Sequence, residues 1–182
     1  KAWSSTETLN LRYGMENGLY LAGSVFQQNV KGLNAAERSV TFPSFSSDRD
    51  DFRKSDASIK AGYKDEKWDA NISYKRAHQY TEIDNGAFSD DDNNYLEFDR
   101  NLFQYSAQYN VSSVIQLSLM GSLSNSERFY ENDSTRINPD EWDKTFSTGT
   151  YYGRLQTHEL QLTFRQNGVE GLFGGGVYRE KM

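Results

Sequence analysis

His78 and His158 are the only histidines in the 182 residues, and cysteine is absent. A histidine paired with a carboxylate can act as a general base. Neither histidine, however, stands in a G-x-S-x-G, H-E-x-x-H or paired-Asp setting. Both lie near the polar ends of extended stretches, where a surface histidine is the plain alternative. The stretch SDDDNNYLE, from Ser89 to Glu97, puts Asp90, Asp92 and Asn94 at alternate positions. Asp and Asn oxygens suit calcium. Tyr95 follows where an EF-hand needs glycine, and no Glu occupies the twelfth place. A calcium ion between outer loops is one expectation here and a solvated acidic loop the other. SDRDD, from Ser47 to Asp51, carries the same two readings. Gly174-Gly175-Gly176 lacks the G-x-G-x-x-G spacing and following helix of a phosphate loop. In a strand it marks a bend or a close backbone approach. Without cysteine there is no thiol nucleophile, disulfide or Cys-ligated zinc. No catalytic activity is expected, and no cofactor beyond that calcium. Aromatic residues beside polar ones can grip a ring-shaped ligand or pin loops together. The candidates for ligand contact are Phe42, Phe45, Tyr80, Phe129, Tyr130 and Trp142.

Strands must position these residues. In the stretch from Ala57 to Lys75, Ala57, Ile59, Ala61 and Tyr63 alternate with Ser58, Lys60 and Gly62. Trp68, Ala70, Ile72 and Tyr74 alternate with Asp69, Asn71, Ser73 and Lys75 across a turn at Lys64–Lys67. Period-two alternation predicts a hairpin. Similar signals cover about 6–13, 19–28, 102–111, 114–124, 158–165 and 169–178. The faces of 19–28 and 169–178 stay ambiguous. No useful helical period occurs, although Asn138–Lys144 fits one turn with Pro139 at its start. Mean hydropathy is −0.84. Strands that are apolar on one face only hide in such an average. No apolar run approaches the ~20 residues of a spanning helix. The net charge of −6 argues against a nucleic-acid partner.

The connections alternate without exception. Those at Gly14–Gly18, Lys64–Lys67, Ser112-Ser113 and Gln166–Gly168 are short. Those at about 29–51, 79–99 and 125–149 are long and polar. Short turns at one end and long loops at the other are the outer-membrane barrel pattern. The expected fold is therefore all-β: an antiparallel up-and-down transmembrane β-barrel with the lipid bilayer as its first partner. Tyr13, Tyr63, Trp68, Tyr109 and, as a further candidate, Phe164, at the short ends, would form the inner aromatic girdle. Phe26, Tyr74, Phe103, Tyr152 and Tyr178 would supply the outer one. Arg12, Lys60, Asn71, Lys75, Gln104, Gln108, Gln116 and Gln161 are expected to line the lumen. A closed eight-stranded barrel has four long loops and three short turns. Here the count is reversed, so about eight consecutive strands of a larger barrel are expected.

The last stretch, THELQLTFRQNGVEGLFGGGVYREKM, resembles a segment of TonB-dependent outer-membrane receptors. In those proteins an E-L-x-L strand is followed by a polar turn and a G-x-aromatic-aromatic-x-x-E strand. Glu159, Leu160 and Leu162 match the first part, and Gly176, Tyr178 and Glu180 loosely match the second. The usual Trp of the ascending strand is missing, and Gly171 stands near its place. The resemblance implies a 22-stranded barrel that imports a scarce nutrient of the siderophore-iron, cobalamin or oligosaccharide type. It also implies a plug domain and an inner-membrane TonB complex as partners, engaged through parts not in this chain. The rival readings are a complete small outer-membrane structural or adhesion protein, an outer-membrane hydrolase, and a soluble sugar-binding β-domain.

Overall fold

The computed structural model describes residues 3–33, 50–83, 94–133 and 146–182. They form eight strands: β1 Trp3–Gly14, β2 Leu19–Leu33, β3 Asp50–Lys64, β4 Trp68–Glu82, β5 Asn94–Asn110, β6 Ile115–Asp133, β7 Phe146–Gln166 and β8 Val169–Lys181. Every neighbour in sequence is a neighbour in one antiparallel sheet, in the order β1 to β8. Among the described residues no helix occurs, and β1 and β8 each pair on one side only.

Turn chemistry fixes the short ends. At Met15–Gly18 the Asn17 side chain accepts from the Leu19 amide, and Gly18 adopts φ +88°. A Cβ at Gly18 would strike the Lys64 carbonyl, so glycine is needed there on two counts. At 65–67 the Asp65 carboxylate accepts from the Lys67 and Trp68 amides and from the Tyr63 hydroxyl. These bonds, Tyr63 first, hold the Asp65 carboxyl below its ordinary range. The Ser112 hydroxyl accepts from the amides of Val114 and Ile115. Asn167 and Gly168 both have positive φ, as a two-residue type I′ turn requires.

The long ends differ from expectation. β2 runs on to Leu33, β3 begins at Asp50, β4 reaches Glu82, β5 begins at Asn94, β6 reaches Asp133 and β7 begins at Phe146. Residues assigned to loops near both ends of 29–51, 79–99 and 125–149 are thus paired strand. Alternation of apolar and polar residues fades past the middle of each strand. Backbone pairing continues there with polar and aromatic side chains mixed on both faces. The helical turn expected at 138–144 lies outside the described residues.

The register also sets a lean. Gly14, the last residue of β1, shares a row across the sheet with Gly176 of β8. Gly176 lies seven residues beyond the start of β8 at Val169. With ~3.4 Å per residue and ~4.8 Å per strand interval, the line of short ends makes the strands lean by about 35°.

Candidate functional site

The two faces of the sheet differ in kind. One carries Tyr13, Leu11 and Leu9 on β1 and Leu19, Leu21 and Val25 on β2. It continues through Ala57, Ile59, Ala61 and Tyr63 on β3 and Trp68, Ala70, Ile72 and Tyr74 on β4. Then come Phe103, Tyr105 and Tyr109 on β5, Leu117, Leu119 and Leu123 on β6, Leu160 and Leu162 on β7, and Phe173 and Val177 on β8. The register settles both ambiguous strands. Leu19, Leu21 and Val25 lie on the apolar face, and Tyr20, Ala22 and Phe26 on the other. On β8, Gly171, Phe173, Gly175 and Val177 are apolar-face residues, and Leu172 and Tyr178 are not. Trp68 and Tyr109 pack at 4.4 Å between ring centroids, at the short-turn end.

The belt has a sharp upper edge. The next residue outward on this face is Glu7, Gln27, Ser55, Arg76, Asn101, Asn125 and Arg179 on seven of the strands, and on β7 His158 stands between Leu160 and Gln156. Leu9, Ile59, Ile72, Leu119 and Leu160 are all about half exposed. Among the described residues no hydrophobic side chain is buried, and the buried ones are all polar: Asp51, Asn94, Ser118, Ser124, Asn132 and Thr163. A water-soluble sheet protein buries its apolar face.

The opposite face holds all eight polar residues singled out from the sequence. Arg12, Lys60 and Gln104 stand in a single row, with Ser73 between Lys60 and Gln104. Asn71, Lys75, Gln108, Gln116 and Gln161 share their face. A cleft of about 570 Å³ runs across this side from Lys60 on β3 to Tyr178 on β8. Hydroxyl and amide pairs join neighbouring strands: Ser24 with Ser58 at 2.7 Å, Asn71 with Ser106 at 2.7 Å, and Ser122 with Thr157 at 2.8 Å. Lys75 reaches Asp56 at 3.1 Å. Arg12 and Lys60 lie over the Tyr20 ring, 5.8 and 5.9 Å from its centre. That ring occupies the place a side chain at Gly62 would take.

The aromatic candidates divide. Phe42, Phe45 and Trp142 lie outside the described residues. Tyr80 and Phe129 are on the apolar face's side of the sheet, beyond the belt. They are joined through Tyr95, 5.5 Å from Tyr80 and 5.9 Å from Phe129. Arg53 covers Tyr80 at 5.6 Å and binds Asp51, which also holds Lys31 at 3.0 Å. Tyr130 is on the polar face. This ladder of Arg53, Tyr80, Tyr95 and Phe129 was not legible in the sequence, because its strands were assigned there to loops. Of the calcium candidates, Asp90 and Asp92 lie outside the described residues. Asn94 is buried opposite Asn132, and the Oδ1 atom of each lacks a hydrogen-bond partner. Among the described residues no cluster of three metal-ligating acids, histidines or cysteines occurs.

The histidines sit on the apolar side. His78 Nδ1 is 3.2 Å from Asp99, with Arg76 also 3.8 Å from that carboxylate. Ser55 stands directly across from His78 but makes no hydrogen bond with it. A nucleophile–base contact is thus missing from the only histidine–carboxylate pair among the described residues. His158 bonds the Tyr105 hydroxyl at 2.7 Å, over Gly121.

No family model matches the chain, and comparison with curated proteins and with solved structures finds no match.

Proposed function

We propose that this chain is a stretch of wall from an outer-membrane β-barrel, and that the barrel is a TonB-dependent receptor importing a scarce nutrient. The observation that carries the membrane part is the inverted burial: polar side chains inside, and an apolar belt outside with a sharp polar edge. On β2 to β6 the belt spans seven residues along the strand, ~24 Å at ~3.4 Å per residue. Leaned by ~35°, it gives a height of ~20 Å, and girdle side chains at both edges fill out the ~25 Å apolar band of such barrels. The lean itself lies at the low end of their ~35–45° strand tilt. The polar, hydrogen-bonded face lines the lumen in this reading, and the long connections face outside.

The receptor part rests on the resemblance over Thr157–Met182. In this reading no reaction is catalysed. Substrate meets the long connections and the polar face, which carries Tyr130. The small closed barrel would need β1 to pair with β8, and no such pairing occurs among the described residues.

The membrane test compares the emission of the intact protein with that of its W68F variant, the difference being Trp68's, in vesicles whose lipids carry brominated chains. Strong quenching of Trp68 is expected, and emission unchanged from that in unbrominated vesicles would sink the proposal. The receptor part is tested by nutrient uptake in cells with and without the TonB system. Uptake that persists without TonB demotes the barrel to a passive pore.

A further inference from the structure

We propose that Arg154, Arg179 and Lys181 form a seat for the phosphate of an acyl-chain lipid, whose chains lie on the belt surface of β7 and β8. Arg154 and Lys181 are directly paired across the two strands, and Arg179 pairs with Gln156 in the next row on the same face. Like charges set directly opposite are destabilising. Here three cations adjoin on the outward side of a chain whose net charge is −6. Among the described residues none of the three is in an ion pair. Arg154 has only the Gln156 amide, whose oxygen, in the orientation that satisfies both groups, accepts from Nε at 3.1 Å and Nη2 at 2.9 Å. The nearest acid on this face, Glu127, sits across from Tyr152 rather than Arg154. Arg76, at the same edge of the belt on β4, differs in having Asp99 beside it.

Height and shape agree with the charge. Arg179 is the first residue past the belt on β8, following Val177 on the same face. Below it Phe173 is 81% exposed, and the outward sides of Gly171 and Gly175 meet no atom within 4 Å. Gly175 is paired with Leu160, and Gly171 with Phe164. The surface beneath the cations is thus apolar, with a notch at Gly175 between Phe173 and Val177, beside Leu160 of β7. A polar head among three cations with hydrocarbon beneath describes an anionic lipid. Guanidinium and ammonium groups supply paired donors and point charge to phosphate oxygens. A soluble phosphate would use the cations and leave the apolar surface idle.

This inference rests on the belt's facing lipid, and the test separates the two. The intact protein, delipidated in detergent, is titrated with phosphatidylglycerol, with phosphatidylcholine and with inorganic phosphate, and adducts are counted by native mass spectrometry. Phosphatidylglycerol is expected to bind the wild type. Its affinity should fall about fivefold for each cation removed, so roughly a hundredfold in R154Q/R179Q/K181Q. The polar-face variant R12Q/K60Q/K75Q should match wild type. If the triple variant does not show the heat-resistant gel mobility of a folded barrel, R179Q alone is read, with the fivefold loss expected. Retention within twofold in the variants, equal binding of phosphatidylcholine, or competition by inorganic phosphate each overturns the lipid seat. A protein that is monodisperse without detergent and takes up no lipid overturns both this inference and the membrane reading. A detergent-requiring protein with an unaffected triple variant overturns this inference alone.

Discussion

Ile72→Arg tests the orientation of the sheet with the largest expected effect. Ile72 is 54% exposed on the apolar face. It lies four residues from Trp68 along β4, ~14 Å along the strand and ~11 Å in height at the lean derived above. That is close to the middle of an apolar band ~25 Å tall. Arginine there should cost ~2–4 kcal/mol, a roughly thirtyfold to nearly thousandfold loss in the folding equilibrium. In water the same change at an exposed site would fall within ~0.5 kcal/mol of neutral. Asn71→Lys, one residue away on the polar face, should cost far less, because its side chain already bonds the Ser106 hydroxyl among polar neighbours. The assay is reversible urea unfolding of the intact protein in lipid vesicles, followed by the shift in heat-dependent gel mobility. Equal, small effects from I72R and N71K would refute the facing of the sheet, and a larger effect from N71K would reverse it.

Gly62→Val should lower stability in the same assay by ~1–3 kcal/mol, because the Tyr20 ring and the Ala70 carbonyl already fill the space it needs. Gly175→Val, which meets open space, should stay within ~0.5 kcal/mol of wild type, and parity between the two would disprove the packing argument. Asp65 has a folded pKa below its unfolded value, so its contribution to the turn is present above the unfolded value and lost as pH falls through the folded one. The acid-unfolding midpoint should therefore depend on Asp65, and an unchanged midpoint in D65N would contradict this. Trimming the connection between β4 and β5 should weaken nutrient binding while gel mobility stays that of a folded barrel, and unaltered binding would remove that connection from substrate capture. Residues 1–182 expressed alone should fail to give a heat-resistant barrel, because unpaired strand edges cost several kcal/mol per backbone group in lipid. A sealed ring with β1 on β8 would promote the small-barrel alternative.

The strands, their order and the positions of the short ends were legible in the sequence, because there an apolar belt forces strict alternation. Ala57, Ile59, Ala61 and Tyr63 can only share a face if the chain is extended. The outer parts of the strands were not legible, since past Ser55, Arg76 or Asn101 polar and aromatic residues mix on both faces and alternation carries no signal. Pairing there is visible only in coordinates. The facing of β2 was equally hidden: Leu19, Leu21 and Val25 look no more apolar than Tyr20, Ala22 and Phe26. Register decides it, since Leu21 stands against Tyr13 and Ala61, while the Tyr20 ring covers Gly62 under two cations. The cation cluster on β7 and β8 was unreadable for the same reason. Arg154 and Lys181 are far apart in sequence, and only the hairpin register makes them partners.

With no apolar side chain buried among the described residues, a soluble domain would have almost no driving force for folding. In lipid the accounting changes. Apolar faces lose nothing by meeting hydrocarbon, while every backbone N–H and C=O left unpaired carries a heavy cost. The ladder between strands then dominates, and side chains mainly decide which way the ladder faces. This explains why the interior accepts Ser118, Ser124 and Thr163 at its most enclosed points. Ser124 avoids a desolvation penalty there, because its hydroxyl accepts from Arg100 Nε across the strands at 3.0 Å. It also explains why the belt tolerates His158. The imidazole is bonded to the Tyr105 hydroxyl and sits one residue below the polar edge on that face of β7. On the proposed membrane reading, a polar side chain in that place keeps its hydrogen bond and stays within reach of the head groups.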